Sequence, residues 1–257
     1  MTAYRNTYLY TMAANTGSTN SGRRNYYNVS YGKISTKMKE VPQDFTEIAE
    51  ADLKAKVQNV EQVDLRKKYV DKGTGDYPYN VFFDSITGVI QAQEKHENDN
   101  GVNLNLTILD TDGDTSILQV KFYSKYAENL LNRLLNTDTT KELTFFPYAI
   151  PSEAEIEGNK RKFYNQGISV KADGNKIEPK FKSDNKDLPP TAQVKVSGKV
   201  STSRDARLDF LYEQFVNHFQ PGSVVETPKQ EAPENAVPTA KPEQAFEAPK
   251  VETKLPF

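Results

Sequence analysis

The chain has 257 residues, with 33 Lys and Arg against 35 Asp and Glu, and a formal net charge of −2 at pH 7. This balance argues against a histone-like protein that binds polyanions with its whole surface, but leaves room for a local basic groove. Cysteine is absent, which excludes disulfides, thiolate metal sites and a cysteine nucleophile, and fits a reducing compartment.

The N-terminal quarter of the chain is polar. Its first residues lack a basic region followed by an apolar run, and no stretch approaches 18 apolar residues, so we expect neither a secretory signal nor a membrane span. A cytoplasmic location is the resulting expectation. Residues 13–25 resemble a flexible loop, residues 26–37 a strand, and residues 44–57 a short helix. One side of that helix would carry Phe45, Ile48, Ala49 and Leu53.

The most regular pattern runs over residues 82–172. Residues 82–95 predict a long strand with Gly88 at a bend or bulge. Apolar and polar residues then alternate over residues 102–108, the period of a half-buried strand, and residues 110–114 supply a hairpin turn. The returning strand is predicted to bury Leu118, Val120 and Phe122 and to present Gln119, Lys121 and Tyr123 outward.

A helix is predicted from about Ser124, and two strands follow over residues 141–150 and 161–171. The apolar face of the helix comprises Ala127, Leu130, Leu131, Leu134 and Leu135. The element order is therefore strand, strand, strand, helix, strand, strand. This order is typical of the OB-fold, a five-stranded and partly open β-barrel that binds oligonucleotides or sugars. We therefore expect a mainly β protein, a barrel with helices.

The C-terminal part divides into a helix and a tail. Residues 203–219 carry an apolar stripe, which either packs on the barrel or forms an oligomer contact, and Pro221 and Gly222 end the helix. Residues 221–257 hold seven of the 14 prolines, six Glu and four Lys, a composition typical of disorder. The predicted organisation is one domain over residues 1–220 and a disordered tail over 221–257.

Four clusters place basic residues beside aromatic ones, the combination that single-strand binders need. Cations follow the phosphates, and rings stack on bases for about 1–3 kcal/mol each. Three clusters provide the candidate residues Arg23, Arg24, Tyr26, Tyr27, Lys121, Tyr123, Lys125, Tyr126, Lys162, Phe163 and Tyr164. The fourth cluster is Arg66, Lys67, Lys68 and Tyr69. Each could instead be a solvated strand end whose ring belongs to the core.

Signatures of catalysis and of metal binding are missing. The chain has no Gly-x-Ser-x-Gly elbow, no phosphate-binding Gly-Lys-Ser/Thr loop and no Cys–His pair. Residues 110–114 lack the later ligands of an EF-hand, and His96 and His218 have no metal-ligand spacing. We therefore expect a binding protein without a cofactor, not an enzyme.

The last three residues suggest a family. A predicted OB-type block followed by a Pro/Glu-rich tail that ends in Leu255, Pro256 and Phe257 resembles replication-type single-stranded-DNA-binding proteins, most of all divergent bacteriophage members. The resemblance implies that the tip docks its ring and its terminal carboxylate into replication or recombination proteins. Lys250 and Lys254 make the approach to the tip nearly neutral, whereas family tips are acidic. The tip is therefore expected to dock proteins more than to compete with DNA.

Three functions follow, in order of preference. The first is sequence-tolerant binding of single-stranded DNA in replication or recombination, in the host cytoplasm if the chain comes from a phage. The second is a structural or assembly protein, such as a virion component, whose basic–aromatic clusters form interfaces. The third is a nuclease or other DNA-modifying enzyme without recognisable motifs.

Overall fold

The computed structural model describes residues 25–40, 43, 45–63, 67–70, 79–110, 113–156, 158–182, 187–196 and 199–222. All of them belong to one compact unit that extends to Val224. Five predicted binding residues lie outside the described part of the chain: Arg23, Arg24, Leu255, Pro256 and Phe257. The predicted disordered tail, apart from Pro221 and Gly222, also lies outside it.

The described residues form thirteen strands and three helices, and the prediction of a mainly β protein is confirmed. The strands, in chain order, are β1 (Asn25–Ser30), β2 (Lys33–Met38), β3 (Thr46–Ile48), β4 (Lys67–Val70), β5 (Tyr79–Phe83), β6 (Ile86–Asn98), β7 (Gly101–Leu109), β8 (Thr115–Lys121), β9 (Glu142–Ile156), β10 (Asn159–Ala172), β11 (Asn175–Lys176), β12 (Ala192–Val196) and β13 (Lys199–Ser203). The helices are α1 (Glu50–Gln58), α2 (Lys125–Leu134) and α3 (Asp205–His218).

Eleven strands form one sheet in the order β11-β10-β9-β6-β7-β8-β1-β2-β5-β4-β3, and β12 pairs with β13 in a separate hairpin. Neighbours in the large sheet run antiparallel except for two parallel pairs, β1 with β8 and β3 with β4. The hydrogen-bonded order begins at β11 and ends at β3, so the sheet is open and is not a closed barrel. Among the described strands, β10 pairs only with β9 and β11 and closes nothing.

The most regular part of the sequence folds as predicted. β7 and β8 form the expected hairpin, in which the Asp110 carboxylate accepts a hydrogen bond from Asp114 N at 2.8 Å. α2 begins after Ser124, whose Oγ accepts a hydrogen bond from Ala127 N at 3.2 Å and so caps the helix. The five apolar residues of its predicted face are all buried.

The strand predicted over residues 26–37 is two strands. The chain reverses at Tyr31 and Gly32, whose φ angles of 51° and 74° allow a two-residue hairpin turn between β1 and β2. Residues on both sides of the turn are typical of strands, so periodicity alone did not reveal this reversal. It places β2 beside β5 and leaves β1 to pair with β8.

The helix predicted over residues 44–57 is shorter and begins later. Thr46–Ile48 is instead the short strand β3, which pairs in parallel with β4, and the helix starts at Glu50. Ile48 and Leu53 are buried together with Phe82 in a small second cluster. The sequence grouped Ile48 and Leu53 correctly as apolar contacts but assigned both to one helix.

The strand predicted over residues 82–95 also divides, because Asp84 and Ser85 separate β5 from β6. The bend predicted at Gly88 has a steric basis: a Cβ there would overlap the Leu109 carbonyl oxygen and lie 2.6 Å from Ile108 Cγ2. The register against β7 then shifts between Ile90 and Ala92. Glycine therefore permits the close approach, and the bulge follows it directly.

The core lies between one face of the sheet and the helices α2 and α3. α3 buries Leu208, Leu211 and Phe215 completely, so this part of its apolar stripe packs on the body of the protein, whereas Val216 of the same stripe stays 42% exposed. After α3, Gly222 is hydrogen-bonded to β6. Gly222 N donates to Ile90 O at 2.9 Å, and Gln91 Nε2 donates to Gly222 O at 2.9 Å. The bulge in β6 is therefore the anchor of the segment that leads into residues 223–257.

Candidate nucleic-acid interface

Two faces of the sheet must be distinguished along β1, β7 and β8. Side chains that pair across strands, or lie two apart along one strand, point to the same face. Tyr27 pairs with Leu118 on the face that meets the core, whereas Tyr26 pairs with Ile117 on the opposite face. We call the face that carries Tyr26 and Ile117 the outer face. Gln119 and Lys121 follow Ile117 on it at two-residue steps.

Of the two predicted tyrosines in β1, only Tyr26 is available to a ligand. Tyr26 is 49% exposed, whereas Tyr27 is buried and packs edge-on against Phe83 with ring centroids 6.4 Å apart. Burial, followed by the charge of Asp110, raises the pKa of Tyr27. A ring in the core offers no face for stacking, so the prediction that Tyr27 contacts DNA is corrected.

The end of β8 presents a cation and an aromatic ring together. Lys121 is exposed, and its Nζ donates to Asn100 O at 2.6 Å. Tyr123 is 48% exposed and stands edge-on against the buried Phe122, with centroids 5.0 Å apart. Lys95 Nζ lies 5.5 Å from the Tyr123 ring centroid, but it forms an ion pair with Asp209 at 2.8 Å, which reduces the charge it can offer to a phosphate. The predicted pair Lys121 and Tyr123 is therefore accessible and held in place from the core.

The next predicted pair, Lys125 and Tyr126, lies in the first turn of α2, and the two side chains differ in exposure. Lys125 is partly exposed but forms an ion pair with Glu128 at 3.0 Å, which reduces the charge it can offer to a phosphate. Tyr126 is buried, and its hydroxyl accepts a hydrogen bond from Gly32 N at 2.8 Å. Burial raises the pKa of Tyr126. The prediction for Tyr126 is corrected because its ring supports the β1–β2 turn from below.

The third predicted cluster lies on the hairpin of β9 and β10. Phe163 is 43% exposed, and Lys162 on the other face pairs with Glu153 at 3.8 Å. Tyr164 is half-buried, and its hydroxyl donates to Glu61 O at 2.7 Å. Burial, followed by the charge of Glu61, raises the pKa of Tyr164. Phe163 is thus the ring that this hairpin offers to a ligand, whereas Tyr164 holds the hairpin to the segment after α1.

The fold relates these clusters through the parallel pair of β1 and β8. Tyr26 lies beside Ile117, six residues before Tyr123, so the two rings are about 20 Å apart along β8. Asn105 and Gln119 lie between them on the outer face, and Gln119 Nε2 donates to Asn105 Oδ1 at 3.1 Å. Asn105 and Ile117 are themselves buried, so the accessible groups of this face are the exposed rings at its two ends, Tyr26 and Tyr123.

Two exposed side chains in this region were missed from the sequence. Tyr31 is 42% exposed at the turn between β1 and β2, and Ile150 is 56% exposed on β9, on the same face as Phe163. Tyr31 lay inside a stretch read as one strand, so its position at a turn tip was hidden. A Tyr-Gly dipeptide between alternating residues was the available signal for the turn.

The fourth basic–aromatic cluster is only partly described. Arg66 lies outside the described residues, whereas Lys67, Lys68 and Tyr69 fall in β4 near one end of the large sheet.

Within the described residues, no group of three or more His, Cys, Asp or Glu side chains is arranged to hold a metal ion. None of the described helices combines the length and the apolar character that a membrane crossing requires.

Comparison with known protein families, with curated proteins and with solved structures finds no match for this chain.

Proposed function

We propose that this protein binds single-stranded DNA with little sequence preference and acts in replication or recombination by binding, not by catalysis. The observation that carries the proposal is the exposure of Tyr26, Tyr123 and Phe163, three rings selected from the sequence for their basic neighbours. Large aromatic side chains are usually buried, so three exposed rings that are close to basic residues in the sequence favour a ligand with flat, anionic repeats.

The order of the strands supports the proposal. Five strands, β9, β6, β7, β8 and β1, are consecutive in the sheet, and α2 lies between β8 and β9 in the chain. The turn after β1 returns to β9, since a Cβ at Gly32 would overlap Ala149 N and lie 2.8 Å from the Tyr148 carbonyl carbon. The two ends of the five-strand run therefore approach each other, as in a partly open barrel. If the fold is of the OB type, β1 from the N-terminal part holds the fifth position, which the sequence assigned to β10.

Binding should weaken steeply with salt because cations that neutralise phosphates release counterions. For single strands, log K falls with log salt by about 0.7 for each phosphate neutralised. Lys121, Lys125 and Lys162, with one or two further cations, predict a slope of about −3 to −3.5. Titration of the full chain with labelled oligo-dT at several salt concentrations measures this slope.

The same titration separates the alternatives. Absence of binding, or micromolar binding that ignores salt, would contradict the proposal. A structural or assembly protein would instead form large regular assemblies without nucleic acid and fail to shift oligo-dT on a gel. Incubation of the oligonucleotide with magnesium tests the third possibility, because a nuclease would shorten it.

The tail is proposed to recruit replication or recombination proteins through Leu255, Pro256 and Phe257. Removal of residues 223–257 should leave the affinity for oligo-dT intact or slightly higher and abolish a protein–protein contact. The cut is placed after Gly222 because Gly222 is buried and hydrogen-bonded to β6. Deletion of Phe257 should cause most of the loss, since an aromatic anchor dominates a short docking motif.

Pull-downs with the full chain, the truncated chain and the chain without Phe257 check this expectation. Thermal unfolding provides the control, because truncation after Gly222 should leave the melting temperature unchanged. If the recovered partners are the same with and without residues 223–257, the tail has no recruiting role.

A further inference from the structure

Tyr31 occupies a backbone conformation that tyrosine rarely adopts. It precedes Gly32 in the two-residue turn between β1 and β2, where both residues have positive φ. Such turns favour Asn, Asp or Gly at the first position because a larger side chain is disfavoured there. A second turn of this kind in the same chain follows the rule: Asp173 and Gly174, with φ of 50° and 77°, join β10 to β11.

Packing does not account for the tyrosine either. Its side chain is 42% exposed, so the ring contributes little to the core. The turn itself is fixed from beneath, because Gly32 N bonds to the Tyr126 hydroxyl and Gly32 lies tightly against the backbone of Ala149. The fold therefore holds an exposed aromatic ring at a defined position, at a backbone cost that asparagine would avoid.

The turn lies between two parts of the proposed binding surface. On one side, the Tyr126 hydroxyl accepts a hydrogen bond from Gly32 N, and Tyr126 comes three residues after the exposed Tyr123. On the other side, Ala149 of β9 lies against Gly32, on the face of the β9–β10 hairpin that carries Lys162 and Tyr164. Tyr31 is also close enough to Tyr164 to contribute, after burial and Glu61, to the raised pKa of the Tyr164 hydroxyl.

We propose that Tyr31 stacks on a nucleobase where the single strand passes from the end of β8 to the β9–β10 hairpin. This inference rests on the proposed binding of single-stranded DNA and adds a contact to it. A ring on a backbone that is fixed before binding loses less freedom than a ring on a mobile loop, so more of its stacking energy appears as affinity.

Tyr31→Asn tests the proposal, because asparagine suits the turn but removes the ring. Its melting temperature should equal or exceed that of the natural protein. Its affinity for oligo-dT should fall by about 5- to 150-fold, the range that corresponds to loss of one base stack. Tyr31→Phe, which keeps the ring, should bind within about twofold of the natural protein.

Asp173→Asn is the matched control, since it places asparagine at the same position of the second turn and should leave affinity within about twofold. If the natural protein binds oligo-dT and Tyr31→Asn binds equally well, the role of Tyr31 is overturned while the proposed function stands. If the natural protein does not bind, the proposed function fails and this inference fails with it. A lower melting temperature for Tyr31→Asn would show that the ring serves packing, which also overturns the inference.

Discussion

Replacement of Glu128 by alanine is expected to lower the free energy of unfolding by about 3 kcal/mol, the largest effect on stability that we predict for a single side chain. For a domain of this size, that loss corresponds to a fall of roughly 6–12 °C in melting temperature. Thermal or urea unfolding of the purified full chain measures it.

We expect this loss of stability because the buried carboxylate of Glu128 forms ion pairs with three cations. The side chain of Glu128 on α2 is 8% exposed, and its oxygens lie 3.0 Å from Lys125 Nζ, 3.1 Å from Arg204 Nε and 3.1 Å from Arg207 Nη1. Arg204 immediately precedes α3 and Arg207 lies in its first turn, so the carboxylate joins the two helices that cover the core. Its loss would leave Arg207, 14% exposed, without a counter-charge. Lys125 and Arg204 can still be hydrated, which keeps the cost near the lower end of the 3–5 kcal/mol typical of such losses.

The effect should depend on pH in a defined direction. Burial by itself would raise the pKa of Glu128, but Lys125 and Arg207 outweigh it and the pKa is lowered. A lowered pKa in the folded state stabilises the protein above the ordinary pKa of glutamate, about 4.3. This contribution is lost as the pH falls through the lowered value. The difference in melting temperature between the natural protein and Glu128→Ala should therefore shrink below about pH 4.

Glu213→Ala is the matched control, since Glu213 is exposed on α3 and its loss should change stability by less than about 0.5 kcal/mol. Glu128→Gln keeps the shape of the side chain and should cost less than alanine. A melting temperature for Glu128→Ala that equals that of the natural protein would show that the carboxylate does not join the helices.

Combined replacement of Tyr26, Tyr123 and Phe163 by alanine should weaken binding of oligo-dT by at least about 100-fold, the largest functional effect that we expect. Each ring is worth about 1–3 kcal/mol if a base stacks on it, and Tyr26 and Tyr123 lie at opposite ends of β8, far enough apart to act nearly independently. All three are between 43% and 49% exposed, so their removal should leave the fold intact. Fluorescence anisotropy at low salt gives the affinity.

Val216→Ala is the control for this set, because Val216 is 42% exposed on α3 and lies outside the basic–aromatic clusters. Its affinity should match that of the natural protein. The single replacements should each contribute measurably. A triple variant that binds like the natural protein would exclude stacking on these rings and favour the assembly role, in which exposed aromatics serve protein contacts.

Prediction from sequence succeeded where the pattern was local. The alternation over β7 and β8 and the 3.6-residue spacing of α2 and α3 identified the elements and most of their buried residues. These patterns repeat within one element, so neighbouring residues in the chain carry the whole signal. The same argument found the accessible pair Lys121 and Tyr123, because alternation from the buried Phe122 placed both outward.

Predictions were wrong for residues whose burial depends on partners that are distant in the chain. Tyr27 and Tyr126 have the same basic–aromatic surroundings as Tyr26 and Tyr123, yet both are buried. Tyr126 is buried because the β1–β2 turn lies over it, a contact 94 residues away in sequence. The role of Glu128 was hidden for the same reason, since its arginine partners belong to α3.

Local patterns were enough to predict a mainly β chain, its most regular hairpin, the amphipathic helices α2 and α3 and the aromatic rings that could form a binding surface. They did not reveal that β1 pairs with β8, that the hydrogen-bonded sheet is open while its β1–β2 turn contacts β9, or which rings are exposed to solvent. Periodicity distinguishes the two faces of each element, but it does not say which face another element covers. That choice depends on strand pairing between distant segments, and it separates Tyr26, Tyr31 and Tyr123 from tyrosines with the same local pattern.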